Sequence, residues 1–329
     1  MFLDLIKSAF SFPILSRWGK VYGHLSPSQW PDHVRIYGGQ GWSMAIVVRG
    51  NRPERVLAVE ETPNPLHEDK NPFEVILPRI RKDISPKSPL VVFLGNLCMY
   101  KDFPSDMEDI GQIENAALNN LESESLDEDY VYNFYDTENK FHFFGAWYPQ
   151  CLRGVHESLY SKGIPVEIHD EVSASLSMIS SWAFDSFPSF NVMVFKSLVV
   201  WWILDGPEDL RGVHYHRLEA DSASVLTYLI GNFQEIFPEV GGKDFEDIHE
   251  FNVFDTTGFL SGEPVDSLNA SVSPYFRDDV EPNFYHLKED FLEGWGVKGV
   301  DEIKGFNDRH FPICMLSFCD LVKDWGVKS

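Results

Sequence analysis

Two stretches of the chain share one pattern of apolar and polar positions. In the first, His33–Tyr37, Trp42–Val48 and Arg55–Val59 are short β-type runs rich in β-branched residues. Gly38-Gly39-Gln40-Gly41 and Gly50-Asn51-Arg52-Pro53 separate them, both strong turn signals. In the second, Asn191–Phe195, Leu198–Leu204 and Gly212–Arg217 repeat the arrangement, with turns at Lys196-Ser197 and Asp205-Gly206-Pro207. Each triplet predicts an antiparallel meander. Their spacing of about 157 residues predicts two similar halves rather than two unrelated domains.

The second meander runs into a helix. Asp221 is a suitable cap, Val225, Leu226, Leu229, Ile230, Phe233 and Ile236 hold a 3.6-residue rhythm, and Gly241-Gly242 stops it. Between the meanders the pattern is strand–helix–strand–strand–helix–strand, the order of an α+β insertion. Leu90–Leu94 is its first strand, and Ser105 and Glu108 form a capping box for a helix carrying Met107, Ile110, Ile113, Ala117 and Leu121. Tyr130–Tyr135 and Phe141–Trp147 read as paired strands around Thr137-Glu138-Asn139. Pro149 opens a helix that Gly163 closes, Pro165–Ile168 is a short strand, and Val172, Leu176 and Ile179 mark a further helix. Beyond residue 250 the pattern is weaker: Phe251–Phe254 reads as a strand and Phe311–Trp325 as a closing helix.

Charge changes this picture. The chain has 329 residues, 27 Lys+Arg against 51 Asp+Glu, and a net charge of −24. Such acidity argues against nucleic acid, whose phosphates demand basic patches, and against electrostatic coating of anionic lipid. The acids are also unevenly placed: residues 102–138 hold twelve of them and no Lys or Arg. That tract reads as a solvated face, as a docking surface for a basic partner, or as a cation site. Calcium would need a glycine among alternating carboxylates, and Glu122 to Asp129 has none. Asp127, Glu128 and Asp129 lie beside Phe143, Trp147 and Tyr148 in the next elements. An aromatic anchor rimmed by charge suits a basic peptide, although these aromatics read equally as core.

No apolar run approaches the ~20 residues of a spanning helix. The opening MFLDLIKSAF has helical apolar spacing, which suits packing on the domain or contact with a membrane surface or partner. Cys98, Cys151, Cys314 and Cys319 match neither a zinc ribbon nor a disulfide framework, so free thiols in a reducing cytosol are expected. His214 and His216 share one face of a strand, with Glu219 and Asp221 near in sequence. Two imidazoles and a carboxylate are a set for Zn²⁺ or Fe²⁺, and so for a metal-dependent hydrolase, although strand histidines also simply face solvent. No nucleophile elbow, His-Glu-x-x-His or Walker lysine motif occurs.

A duplicated meander-plus-helix with an α+β insertion in its first half resembles the actin-like superfamily. Within it the chain resembles the PilM family of type IV pilus assembly proteins and its relative, the GspL cytoplasmic domain of type II secretion. The segments that carry this are LVVFLGNLCMYKDFP, DMEDIGQIENAALNNLESESLDEDYVYNFY and KFHFFGAWYPQCLRGVHESLYSKGIPVEIHDEVSASLSMI, with the lead MFLDLIKSAF. The resemblance implies an α/β fold of two actin-like lobes, at 1–180 and 181–329, with the insertion at about 88–180. It implies a cytoplasmic scaffold, peripheral to the inner membrane, that binds the cytoplasmic tail of a PilN-like membrane protein and other components of the assembly platform.

Actin-like ATPases hold Mg-nucleotide between two hairpins, each with an Asp at the end of its first strand and small residues in the turn. Here Ile36-Tyr37 stands where the first acid belongs, though Gly38, Gly39 and Gly41 keep the turn flexible. Val194-Phe195-Lys196-Ser197 has neither acid nor glycine. Thr257-Gly258-Phe259-Leu260 is similar to the family's adenosine-contacting glycine loop and reads equally as a plain turn. The expectation is a degenerate site, with no catalytic residue and no bound ATP or magnesium. A surviving nucleotide-dependent ATPase is the alternative.

Overall fold

The computed structural model of the chain describes, apart from short turns, residues 32–61, 85–104, 130–147, 164–172 and 186–286, with Gln112 and Lys298. The first meander forms as β1 (His33–Gly39), β2 (Trp42–Arg49) and β3 (Arg52–Glu61). β4 (Leu90–Leu94) lies parallel to β1, and its unbroken apolar run is what a strand inside a parallel ladder needs. The insertion follows as β5 (Cys98–Pro104), β6 (Tyr130–Asp136) and β7 (Lys140–Trp147). The chain then rejoins the first sheet as β8 (Val166–Asp170), giving the order β3-β2-β1-β4-β8.

The second half repeats this. β9 (Ser189–Val194), β10 (Leu198–Gly206) and β11 (Asp209–Arg217) form the meander. Helix α1 (Ser222–Glu239), β12 (Glu250–Asp255), helix α2 (Glu263–Val272) and β13 (Pro282–His286) complete it. The strand order is β11-β10-β9-β12-β13, which matches the first sheet strand for strand. Gly39 opposite Trp42 closes the first hairpin on two residues, and the Phe195 N–H donating to Leu198 C=O at 2.8 Å closes the second likewise. Gly39 therefore corresponds to Phe195, an offset of 156 residues. The chain has an α/β fold of duplicated actin-like sheets, with a separate three-stranded sheet, β5-β7-β6, carried by the insertion of the first.

Helix α1 buries Val225, Leu229, Phe233, Ile236 and Phe237 against Phe190, Val192, Val194, Trp201, Phe251 and Val253 of the sheet. Each such side chain contributes roughly 1.5–3 kcal/mol. Trp201 belongs to this face and Trp202 to the opposite one, as strand alternation requires, and both are fully buried. The helix ends as its two glycines lead one to expect. Gly241 adopts φ +84°, its N–H donates to Pro238 C=O, and the Gly242 N–H reaches back to Phe237 C=O at 2.9 Å. Gly212 of β11 allows this helix end to dock, since a Cβ there would stand 2.4 Å from the Val240 carbonyl oxygen.

Three elements escaped the hydrophobic pattern. β5 carries Lys101, Asp102 and Pro104 and shows no alternation. β13 is five residues long and opens on proline, and α2 fully buries only Leu268 and Val272. The strands run one to three residues past most ends expected from sequence, because ladder pairing absorbs turn residues such as Gly38, Gly39 and Gly206. The helices expected at 105–121, 149–163, 172–179 and 311–325, and the N-terminal helix, lie outside the described residues, apart from Gln112 and Val172, which are helical.

Candidate functional site

The ends of β1, β9 and β12 carry the hairpins and the loop to which the resemblance assigns a nucleotide. The β9 end is closed. Met193, Val194 and Phe195 are each at most 2% exposed, and the turn that follows is only Lys196-Ser197. Val194 C=O accepts both from the Thr256 N–H at 3.1 Å and from Thr256 Oγ1 at 2.7 Å. The hairpin is thereby latched to the loop that leaves β12.

That loop is organised by Asp255, the last residue of β12, at 1% exposure. Its Oδ1 accepts from the Thr257 N–H at 2.8 Å and from Thr257 Oγ1 at 2.6 Å. Its Oδ2 accepts from the Leu260 N–H at 2.9 Å. A buried carboxylate is stable only where donors surround it, and here the loop's own amides supply them. The Asx turn so formed leads through Gly262, at φ +68°, into α2. The Thr256, Thr257 and Leu260 amides are thus engaged within the protein. Sequence reading singled out the glycine of this loop and missed the acid, although Asp-Thr-Thr-Gly after an apolar strand is an Asx-turn signature.

Polar residues are also buried along the first strand of each sheet. Arg35, 1% exposed, donates from Nε to His33 Nε2 at 3.1 Å. At the corresponding place Asn191 donates to Ser189 Oγ at 3.0 Å and accepts from Asn252 Nδ2 at 3.0 Å. Asn252 in turn accepts from Asn283 Nδ2 at 3.2 Å, so one amide row crosses β9, β12 and β13. Neither group stood out in the sequence, where single polar residues in strands carry no signal of their own.

His214 and His216 share a face of β11, as expected, but that face is turned toward α1. His214 Nδ1 lies 2.8 Å from Glu239 Oε2, and its Nε2 lies 3.3 Å from the Tyr228 hydroxyl. The His216 ring stacks on Tyr228, with centroids 4.3 Å apart and planes 12° apart. Burial, and secondarily the Glu239 charge, push the Tyr228 hydroxyl well above the ordinary tyrosine range. Both ring nitrogens of His214 are engaged by protein groups, and among the described residues no three His, Cys, Asp or Glu side chains are grouped to hold a metal ion. The cluster ties strand to helix.

Of the six candidate docking residues, Phe143 and Trp147 lie on β7. Phe143 pairs with Lys101 and Phe134, and Trp147 with Tyr130. The two are four residues apart on one strand. Tyr148, Asp127, Glu128 and Asp129 lie outside the described residues. Among the described residues no helix is long and apolar enough to cross a membrane.

No family model matches the chain, and no curated protein matches it. Among solved structures it is similar to a Bacteroides thetaiotaomicron VPI-5482 protein described as having an actin-like ATPase fold and unknown function. That match has 10% identity and TM-score 0.48, over 82% of this chain and 96% of that one. It is similar to a PilM–PilN type IV pilus biogenesis complex at 12% identity and TM-score 0.47, over 88% and 98%. A third likeness is the ethanolamine utilization protein EutJ of Carboxydothermus hydrogenoformans, at 8% identity and TM-score 0.38, over 97% and 96%. Likeness at these levels carries no functional argument.

Proposed function

We propose that this chain is a non-enzymatic docking scaffold, an actin-like fold whose nucleotide cleft has been given over to internal contacts. One observation carries the reading: the Asp255 carboxylate occupies the amides of its own loop, while Thr256 latches that loop to the second hairpin. The Thr256, Thr257 and Leu260 amides in that state are already engaged, and bulky Phe195 stands where a glycine would admit phosphate. The acidic tract of residues 102–138 supports a basic, extended peptide as the partner. The PilM resemblance supplies the finer version: the cytoplasmic tail of a PilN-like membrane protein, held at the cytoplasmic face of a type IV pilus or type II secretion-like platform.

Two measurements test this. Calorimetric titration with Mg-ATP is expected to give no binding heat; micromolar binding with turnover would establish the ATPase alternative instead. Immobilised basic N-terminal tails of single-span membrane proteins are expected to retain the protein, with retention reduced in Trp147→Ala. Absence of retention, or retention indifferent to that substitution, removes the docking role.

A further inference from the structure

We infer that the outer end of the ring cluster beside α1 is a second docking surface, for an arginine-bearing segment of a partner protein. It lies in the second half of the chain and goes beyond the docking reading above, which rests on the acidic tract of the first half. Two segments far apart in sequence build it. The short 3₁₀ turn Phe245–Asp247 follows α1, and the turn Ser273–Tyr275 follows α2. Phe245 stacks on Phe237 of the last turn of α1, with centroids 3.7 Å apart. Its ring centre lies 5.3 Å from that of Tyr275 and 5.4 Å from that of Phe276. The Tyr275 hydroxyl accepts a hydrogen bond from Gln234 of α1. Phe237 and Phe276 are buried, whereas Phe245 and Tyr275 are only half-buried, so part of each outer ring meets solvent.

These ring contacts bring two runs of acids together. Asp244, Glu246 and Asp247 flank Phe245, Asp278 and Asp279 follow Phe276, and all five are exposed. The cations adjacent in sequence are Lys243 and Arg277, and Arg277 is already held by Asp279 at 3.2 Å. Asp244 has a local duty, since its Oδ1 caps the turn by accepting from the Glu246 N–H at 3.0 Å. Helix α1 ends beside Phe245 with no basic residue in its last turn, so the negative end of its dipole adds to the same field. Gathered like charges repel one another, and a bound cation relieves that repulsion. The chemistry selects the occupant. A second copy would bring acid against acid, and anionic partners would be repelled. An arginine lays its planar cation on an aromatic face and reaches the carboxylates beside it.

A synthetic peptide of alternating arginine and glycine, with its lysine counterpart, tests this on the full chain. The arginine peptide is expected to bind, more weakly as salt rises, and to slow amide exchange at residues 243–248 and 275–279. The lysine peptide should bind severalfold more weakly, and Tyr275→Leu, which keeps an apolar side chain, should abolish that preference. The variant D244N/E246Q/D247N should weaken binding about tenfold. Its melting temperature should stay the same or rise, because asparagine still caps the turn and the repulsion is gone. Trp147→Ala, the test of the docking reading, should leave this binding unchanged. No binding of the arginine peptide overturns the inference, as does binding indifferent to D244N/E246Q/D247N. A melting temperature that falls in that variant makes the acids structural and overturns it as well. Binding lost in Trp147→Ala, without protection at 243–248 and 275–279, overturns this surface and leaves the docking reading standing. Binding with that protection, while basic tails ignore Trp147→Ala, supports this surface and removes the docking reading alone.

Discussion

The two sheets have the same strand order and equal hairpin lengths, yet they solve one burial problem differently. At equivalent positions of the first strand, each places a polar side chain in the interior and bonds it to the residue two before it. In the first sheet the donor is the Arg35 guanidinium and the acceptor His33. In the second it is the neutral Asn191 amide and Ser189, and the amide is extended by Asn252 and Asn283. A buried guanidinium cannot shed its proton and depends wholly on its acceptors, whereas an amide row is neutral and costs far less to bury. A duplicated topology thus fixes where polar groups are tolerated, while the chemistry at that place drifts independently in each half. The hairpins teach the same lesson: glycines persist at Gly38, Gly39 and Gly41 in one, and the other has become buried Phe195 latched to Thr256.

Three substitutions sharpen or break that comparison. Arg35→Ala should have the largest effect, about 3–5 kcal/mol in urea unfolding, because it leaves both a cavity and the orphaned partners of a buried cation. A loss below about 1 kcal/mol would mean that the first sheet does not depend on its charge. Asn252→Ala removes the central link of the amide row and should cost about 1–3 kcal/mol, with faster amide exchange confined to β9, β12 and β13. A cost equal to that of Arg35→Ala would erase the contrast between charged and neutral solutions. Tyr228→Phe should have the smallest effect and show it only in alkali. The hydroxyl's pKa is raised on folding, so its contribution is complete below the ordinary tyrosine value of roughly 10 and lost as pH rises through the folded value. Wild type should therefore lose stability above that pH more steeply than the phenylalanine variant; parallel curves would show that the β11–α1 tie is not coupled to the hydroxyl's proton.

Much of the fold was legible along the chain. Two meanders at a constant offset, a helix stopped by Gly241-Gly242, and the β4, β6, β7 and β8 strands each announced themselves through local apolar rhythm. β5, β13 and α2 did not, because edge strands and half-exposed helices do not need that rhythm. The candidate site was less legible. The missing acids and the bulky Phe195 could be read directly; Asp255 carried an Asx-turn signature, but not the partners that its carboxylate would take. Its role appears only when Thr257 and Leu260 fold back onto it. The histidine pair was placed correctly on one face of its strand, yet what meets that face, Tyr228 and Glu239, belongs to a helix that sequence spacing cannot position against it.

What the sequence by itself determined were features set by neighbours: strand alternation, hairpin turns, helix ends, the duplication, and the acidic tract with its lack of basic residues. Tertiary structure alone decided which polar groups are buried and which donors the loop after β12 keeps for itself. Those depend on pairing between residues tens of positions apart, such as Asn191 with Asn252 or Thr256 with Val194. Local periodicity carries no record of such pairs, because hydrogen bonds and desolvation act across space and are fixed only once the sheets have formed.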